Sequence, residues 1–330
     1  MHDKSLEKLE EIEALYKKAL QDLEARISEW YQRFAVNNEI TPAEAYKLLN
    51  SAELAELRWT LEEYIAYGRA NAITGGWVKE LENASARVHI QRLEALKKQV
   101  RGELERLGNE VITQTEEHIA DTYTESLYRA AYEIQKGTGI GTIMLRLNAD
   151  KVNTIIRKPW AVDGMNFSER LWTDKNKLIN KTHNLLSQMV MTGGNPDKAI
   201  KDLAHEMKVS RSVAGRVIMT ESAVFGNNAK IDAMKRNSRR EYEVVATLDG
   251  LTCEVCGQHD GEHYPVERYE IGVTAPVYHP NCRCDVAPYM KDKYGDILQG
   301  VGYRATRDEN GKSVLIPEMS YIEWKDKYLQ

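Results

Sequence analysis

Apolar residues in the first 135 positions recur at three- and four-residue steps. Leu6, Leu9, Tyr16, Leu20, Leu23, Ile27, Trp30 and Phe34 form one stripe with a gap at Glu13, and Glu and Lys fill the opposite face. This predicts an amphipathic helix over residues 5–34, packed in a bundle rather than standing free as a coiled coil. Thr41-Pro42-Ala43-Glu44 starts a second helix: Thr41 caps, Pro42 suits the first turn, and Glu44 reaches back to the cap's amide. Helix continues through Ser51–Ala72 and breaks at Gly75-Gly76. It resumes over Trp77–Leu107 along Leu81, Val88, Leu93, Leu96, Val100, Leu104 and Leu107, and a further helix runs from about Val111 to Ile134. Residues 1–136 therefore read as a helical arm or bundle.

Residues 137–240 read as a helical middle region. Gly137-Thr-Gly-Ile-Gly141 is a loop whose glycines lack the spacing of a phosphate cradle. Asp197–Met207 and Arg211–Arg236 read as two helices around a turn at Lys208-Val209-Ser210. The spacing over residues 197–220 is that of a helix-turn-helix DNA reader, although Lys208 stands where glycine is usual. Glu241–Leu248 has strand composition and Asp249-Gly250 is a turn, opening a compact module over residues 241–290. A tail over residues 291–330 follows, with a hairpin and a short helix. The predicted fold class is mainly α: a long helical arm and helical middle region followed by a small α+β module.

Composition changes this picture in two places. Across 330 residues, 42% hydrophobic and 29% charged, the net charge of −5 gives no global attraction to nucleic acid. Between Lys208 and Arg240, however, Lys208, Arg211, Arg216, Lys230, Lys235, Arg236, Arg239 and Arg240 face only Glu221 and Asp232. Arg211, Arg216, Lys230, Lys235, Arg236, Arg239 and Arg240 are candidate phosphate contacts to double-stranded DNA; the alternative is a solvated helix face with its counter-charges elsewhere. No run approaches the roughly 18 apolar residues of a membrane span, and no secretory signal opens the chain. Folding in a cytosol is the expectation, where disulfides rarely persist.

That bears on the cysteines, because all 4 fall between Cys253 and Cys284. The spacing is C-x2-C (Cys253, Cys256), 22 residues, then H-x2-C-x-C (His279, Cys282, Cys284). Two thiolates on a tight knuckle and two soft ligands from a second element suit a tetrahedral cation, with zinc ahead of iron. His279 and Cys282 repeat the three-residue spacing. Cys282 and Cys284 would share one side of an extended stretch. The favoured set is Cys253, Cys256, His279 and Cys282, with Cys284 competing for the fourth place. His259 and His263 read as surface residues. Five soft candidates favour a closed structural site over a catalytic one, and no spaced acid–base set accompanies Asp260 and Glu262, which argues against an enzyme and against a zinc-stapled nuclease. With little core in so short a module, metal binding is expected to supply much of its folding energy.

The same residues resemble a known family. Asp249, Thr252-Cys-Glu-Val-Cys256, Asp260-Gly261, Tyr264-Pro265 and His279-Pro-Asn-Cys-Arg-Cys284 are similar to the C-terminal signature of the Mu F-like minor head proteins of tailed bacteriophages. Thr220-Glu221-Ser222-Ala223 is similar to that family's Thr-Glu helix, with Met219 where the family often has Arg. Arg92-Leu-Glu-Ala-Leu-Lys97 and the tail with Arg304, Arg307, Gly311-Lys312, Pro317 and Tyr321-Ile-Glu-Trp324 resemble minor capsid proteins of Gram-positive phages. The resemblance implies a low-copy virion protein in the head interior, bound to the portal protein or the capsid nearby. It implies a role in procapsid assembly and in DNA packaging or ejection, without membrane or small-molecule partners.

Overall fold

The computed structural model describes residues 2–37, 85–138, 147–192, 196–289, 303–307, 313–317, 319, 320, 323 and 327. The helix expected at Thr41, the Gly75-Gly76 break, most of the Gly137–Gly141 loop and most of the short helix in the tail lie outside the described residues. The described helices are α1 (His2–Asn37), α2 (Ser85–Thr138), α3 (Ala149–Ile156), α4 (Phe167–Thr192), α5 (Pro196–Arg236) and α6 (Glu254–Gln258). The strands are β1 (Glu241–Val245), β2 (His263–Pro265), β3 (Asp285–Pro288), β4 (Tyr303–Arg307) and β5 (Ser313–Pro317). The fold is predominantly helical with a small antiparallel sheet, and no described helix is long and apolar enough to cross a membrane.

The chain divides into two compact units. One comprises Glu11–Ile112 and Leu171–Val213. Its buried side chains include Ile12, Tyr16, Leu23 and Ile27 of α1, Val100, Leu104 and Leu107 of α2, Leu178 of α4, and Leu203 and Met207 of α5. Polar ties run between the same helices: Tyr16 OH meets Ser210 Oγ at 2.9 Å, Ser210 donates to Asp174, Arg26 pairs with Glu103, and Lys175 pairs with Glu105 at 2.6 Å.

Three sequence expectations change here. The gap at Glu13 is no gap, because Ile12 takes the buried position, and towards the N-terminus Ser5 is buried while Leu6 is 38% exposed. Among the described residues, the helices expected at Trp77–Leu107 and Val111–Ile134 form one helix, Ser85–Thr138, running through Gly108. A Cβ at Gly108 would lie 2.2 Å from Lys175 Cδ, so the glycine makes room for that side chain rather than ending the helix. The turn at Lys208-Val209-Ser210 does not exist either: α5 is continuous from Pro196 to Arg236. Ser210 is 3% exposed and bonded to Asp174 and Tyr16, and such tertiary contacts outweigh its weak helix propensity of a few tenths of a kcal/mol. The helix-turn-helix reading falls with the turn.

The other unit comprises Met1–Glu10, Thr113–Arg170 and Ala214–Gln330. Within it every residue from Thr220 to Asn227 is buried, as expected of a helix enclosed on all sides. The sheet has the order β2-β1-β3, with Val244 opposite Val286 and Tyr242 opposite Tyr264 on one side and Pro288 on the other. Tyr242, Val244, Val266, Ala275 and Val286 share one apolar core with Ala131 and Ile134 of α2 and Ile231, Ala233 and Met234 of α5. The sheet therefore shares a core with two helices, and bound metal is not the sole source of its folding energy. The β4–β5 hairpin pairs Tyr303 with Pro317, and Ile316 packs on buried Leu248.

Candidate metal centre

Two segments of the second unit bring the soft ligands together. On the first, Asp249 accepts the Leu251 amide at 2.9 Å, an Asx turn that leads the chain into α6. Cys253 is the N-cap of α6: its backbone is extended (φ −74, ψ 165) and its sulfur accepts the Cys256 amide at 3.5 Å. The three-residue separation thus places both sulfurs at the helix start.

On the second segment, the Cys282 amide donates to the His279 carbonyl at 3.1 Å, closing a tight turn in which Asn281 takes φ +60. Asn is one of the few residues that adopts this left-handed conformation readily. His279 Nδ1 donates to the Pro280 carbonyl at 2.8 Å, so the Nε2 lone pair faces the sulfurs. Nε2 lies 3.1 Å from Cys256 Sγ and 3.4 Å from Cys253 Sγ. Cys256 Sγ and Cys282 Sγ are 3.7 Å apart. The donor atoms form two overlapping clusters, Cys253–Cys256–His279 and Cys256–Cys282–Cys284, each with all atoms within 4.8 Å of one another. All five residues singled out by spacing are brought together, and Cys256 is common to both clusters.

None of the four cysteines is disulfide-linked; Cys253 is exposed and the other three are buried. Hydrogen bonds from Cys256 and Cys284 hold the Cys282 thiol well below its ordinary value, while the bond to Cys282 pushes Cys256 up, and bonds to Cys256 and Cys282 push Cys284 up. One thiolate is easily held in this cluster and several are not. A divalent cation removes that conflict, since it binds thiolates and compensates their charge. The donor set therefore fits a zinc-type ion.

The remaining signature residues build the frame. Arg283, between Cys282 and Cys284, makes a two-pronged ion pair with Asp249, one prong at 2.6 Å and both side chains largely buried. Thr247 Oγ1 donates to the Arg283 carbonyl at 3.0 Å. Asp260 Oδ1 accepts the Ala246 amide at 2.8 Å, and Gly261, at φ +81, donates its own amide to the Val244 carbonyl. Glu262 accepts from Tyr264 at 2.7 Å and pairs with His259. Asp260 and Glu262 thus serve the sheet's connection. His259 stacks on Tyr278 at 4.3 Å between ring centroids and His263 on Tyr289 at 4.2 Å, and neither joins the sulfur clusters. Spacing alone signalled the ligands; Asn227, whose amide spans Cys284 and Val286, carried no sequence signal.

Of the candidate phosphate contacts, Arg211 pairs with Glu13 and Lys230 with Asp285. Arg216 lies midway along α5 and is exposed. Lys235, Arg236 and Arg240 are exposed at the end of α5 and the start of β1, and Arg239 Nε donates to the Asn237 carbonyl at 2.9 Å.

Residues 180–287 match the family model described as Phage Mu protein F like protein. This segment is Mu F-like. It begins within α4 and includes α5, the three-stranded sheet and all five candidate ligands. The Mu F-like family is one of phage head proteins, and the match covers about a third of the chain. Neither a curated protein nor a solved structure matches the chain. Arg92–Lys97 and the tail lie outside the Mu F-like segment.

Proposed function

We propose that this protein is a minor head protein of a tailed phage, acting structurally in procapsid assembly at the portal and resident in the head interior. The observation that carries the reading is the Mu F-like match over residues 180–287, a segment that includes every residue of the Cys/His cluster. In this reading zinc, held by four of Cys253, Cys256, His279, Cys282 and Cys284, closes the ligand-bearing loops around a site with no open position, and the role is structural rather than enzymatic. The portal protein and capsid interior are the partners. The exposed cations Lys235, Arg236 and Arg240 support contact with packaged DNA during packaging or ejection, whereas Arg211 and Lys230 are already neutralised by carboxylates.

Mass spectrometry of purified particles tests the assignment. The protein is expected in mature heads at low copy and in portal-bearing assembly intermediates; its absence from both overturns the proposal.

A further inference from the structure

The second ligand segment is held by more than its own turn. Asn281 donates its backbone amide to Thr220 Oγ1 at 3.0 Å. Asn227 donates its side-chain amide to the Cys284 carbonyl at 3.3 Å and accepts the Val286 amide at 3.2 Å. Lys230 pairs with Asp285. Thr220, Asn227 and Lys230 are spaced seven and three residues apart, so they lie on one face of α5. Ten helical residues rise about 15 Å, and the segment from Asn281 to Asp285 reaches at most about 13 Å when extended. The helix face and the ligand segment therefore run side by side, and the bonds fall just before Cys282, at the Cys284 carbonyl, and just after Cys284 at Asp285 and Val286.

We propose that Thr220 and Asn227 are positioning residues of the metal centre: from α5 they fix the conformation of the His279–Cys284 segment so that its donors converge before a metal ion arrives. This rests on the metal reading given above. The alternative is that the two side chains only attach the sheet to the helix. The two roles differ in what each bond restrains. The Thr220 bond is to Asn281, the residue at φ +60 whose conformation turns His279 and Cys282 towards the same point. The Asn227 bond is to the carbonyl of Cys284 itself, and Asn227 is fully buried, so no water substitutes for it. Groups that orient a metal's ligands typically change affinity by about ten- to a hundredfold when removed.

The test uses the full chain, with zinc affinity measured by competition against a chromophoric chelator and coordination read from the visible spectrum of the cobalt(II) form. Thr220→Val keeps the side chain's shape and loses the hydroxyl, and with it the acceptor for the Asn281 amide. It is expected to weaken zinc binding by about tenfold and to alter the cobalt spectrum, with Thr220→Ser restoring both. Asn227→Ala is expected to weaken binding further. Where Asn227→Ala fails to fold, the Val/Ser pair at Thr220 decides alone. Zinc affinity within twofold of native in Thr220→Val, with an unchanged cobalt spectrum, overturns the proposal while leaving the metal reading standing. A native chain that takes up neither zinc nor cobalt overturns both.

Discussion

Glu221 is a carboxyl in the wrong environment, and its removal has a calculable effect. Its side chain is 3% exposed on α5 and accepts the Trp160 indole N–H at 2.8 Å. The nearest cation, Arg170, approaches only to 3.7 Å, because its guanidinium is committed to Asp163 through two bonds, one at 2.7 Å. Burial therefore dominates and lifts Glu221 from 4.5 to about 7, against the smaller opposing effects of Trp160 and Arg170. A proton held more tightly in the folded chain stabilises it below the unfolded pKa, and that stability is lost as pH rises from about 4.5 to 7. Over that window the loss is about 3 kcal/mol. Glu221→Gln stays neutral throughout and still accepts from Trp160. It is expected to match the native chain near pH 4.5 and to exceed it at pH 8 by up to about 3 kcal/mol. Urea unfolding of both chains at several pH values measures the difference, in which metal-linked pH effects common to both cancel. A gap that does not widen between pH 5 and 8, or a Gln variant less stable at pH 8, refutes the reasoning.

Three further outcomes follow from the second unit. Cys253→Ser is expected to lose bound zinc, by elemental analysis, yet to retain near-native circular dichroism, because Tyr242, Val244 and Val286 remain buried against α2 and α5; full metal retention would eliminate the site. Asp249→Asn leaves the Arg283 guanidinium, 15% exposed, without a carboxylate, and is expected to lower stability by about 3–5 kcal/mol in denaturant unfolding. A loss under about 1 kcal/mol would show the pair to be no better than a surface one. Gly261→Ala meets no obstacle, its Cβ lying 3.9 Å from Glu243, so only the φ of +81 opposes it and about 1–2 kcal/mol is expected.

The ligands were legible in the sequence because metal chemistry imposes short, rigid spacing: Cys253 with Cys256, and His279 with Cys282, needed no tertiary information. Helix existence was legible from the apolar stripes, but two helix ends were not. Gly108 and Ser210 both look like breaks, and each is retained in a helix by a partner distant in sequence, Lys175 for the first and Tyr16 and Asp174 for the second. The frame of the site was hidden for the same reason. Asp249 finds Arg283 across 34 residues and Thr220 finds Asn281 across 61, and no local pattern encodes such pairings. For Asp260, set aside in the sequence for want of a spaced acid–base partner, the bond to the Ala246 amide supplies a structural task.

Asn227 has one more consequence. Among the described residues β3 is the outermost strand of its sheet, and an outermost strand with free amides and carbonyls is a template on which another extended chain, including a second copy, can continue the ladder. The Asn227 side chain fills that place with a carboxamide, presenting one donor and one acceptor as a neighbouring peptide would, but with no backbone beyond it to propagate. The sheet is thus terminated by a helix, and copies crowded together have no strand to share at this position.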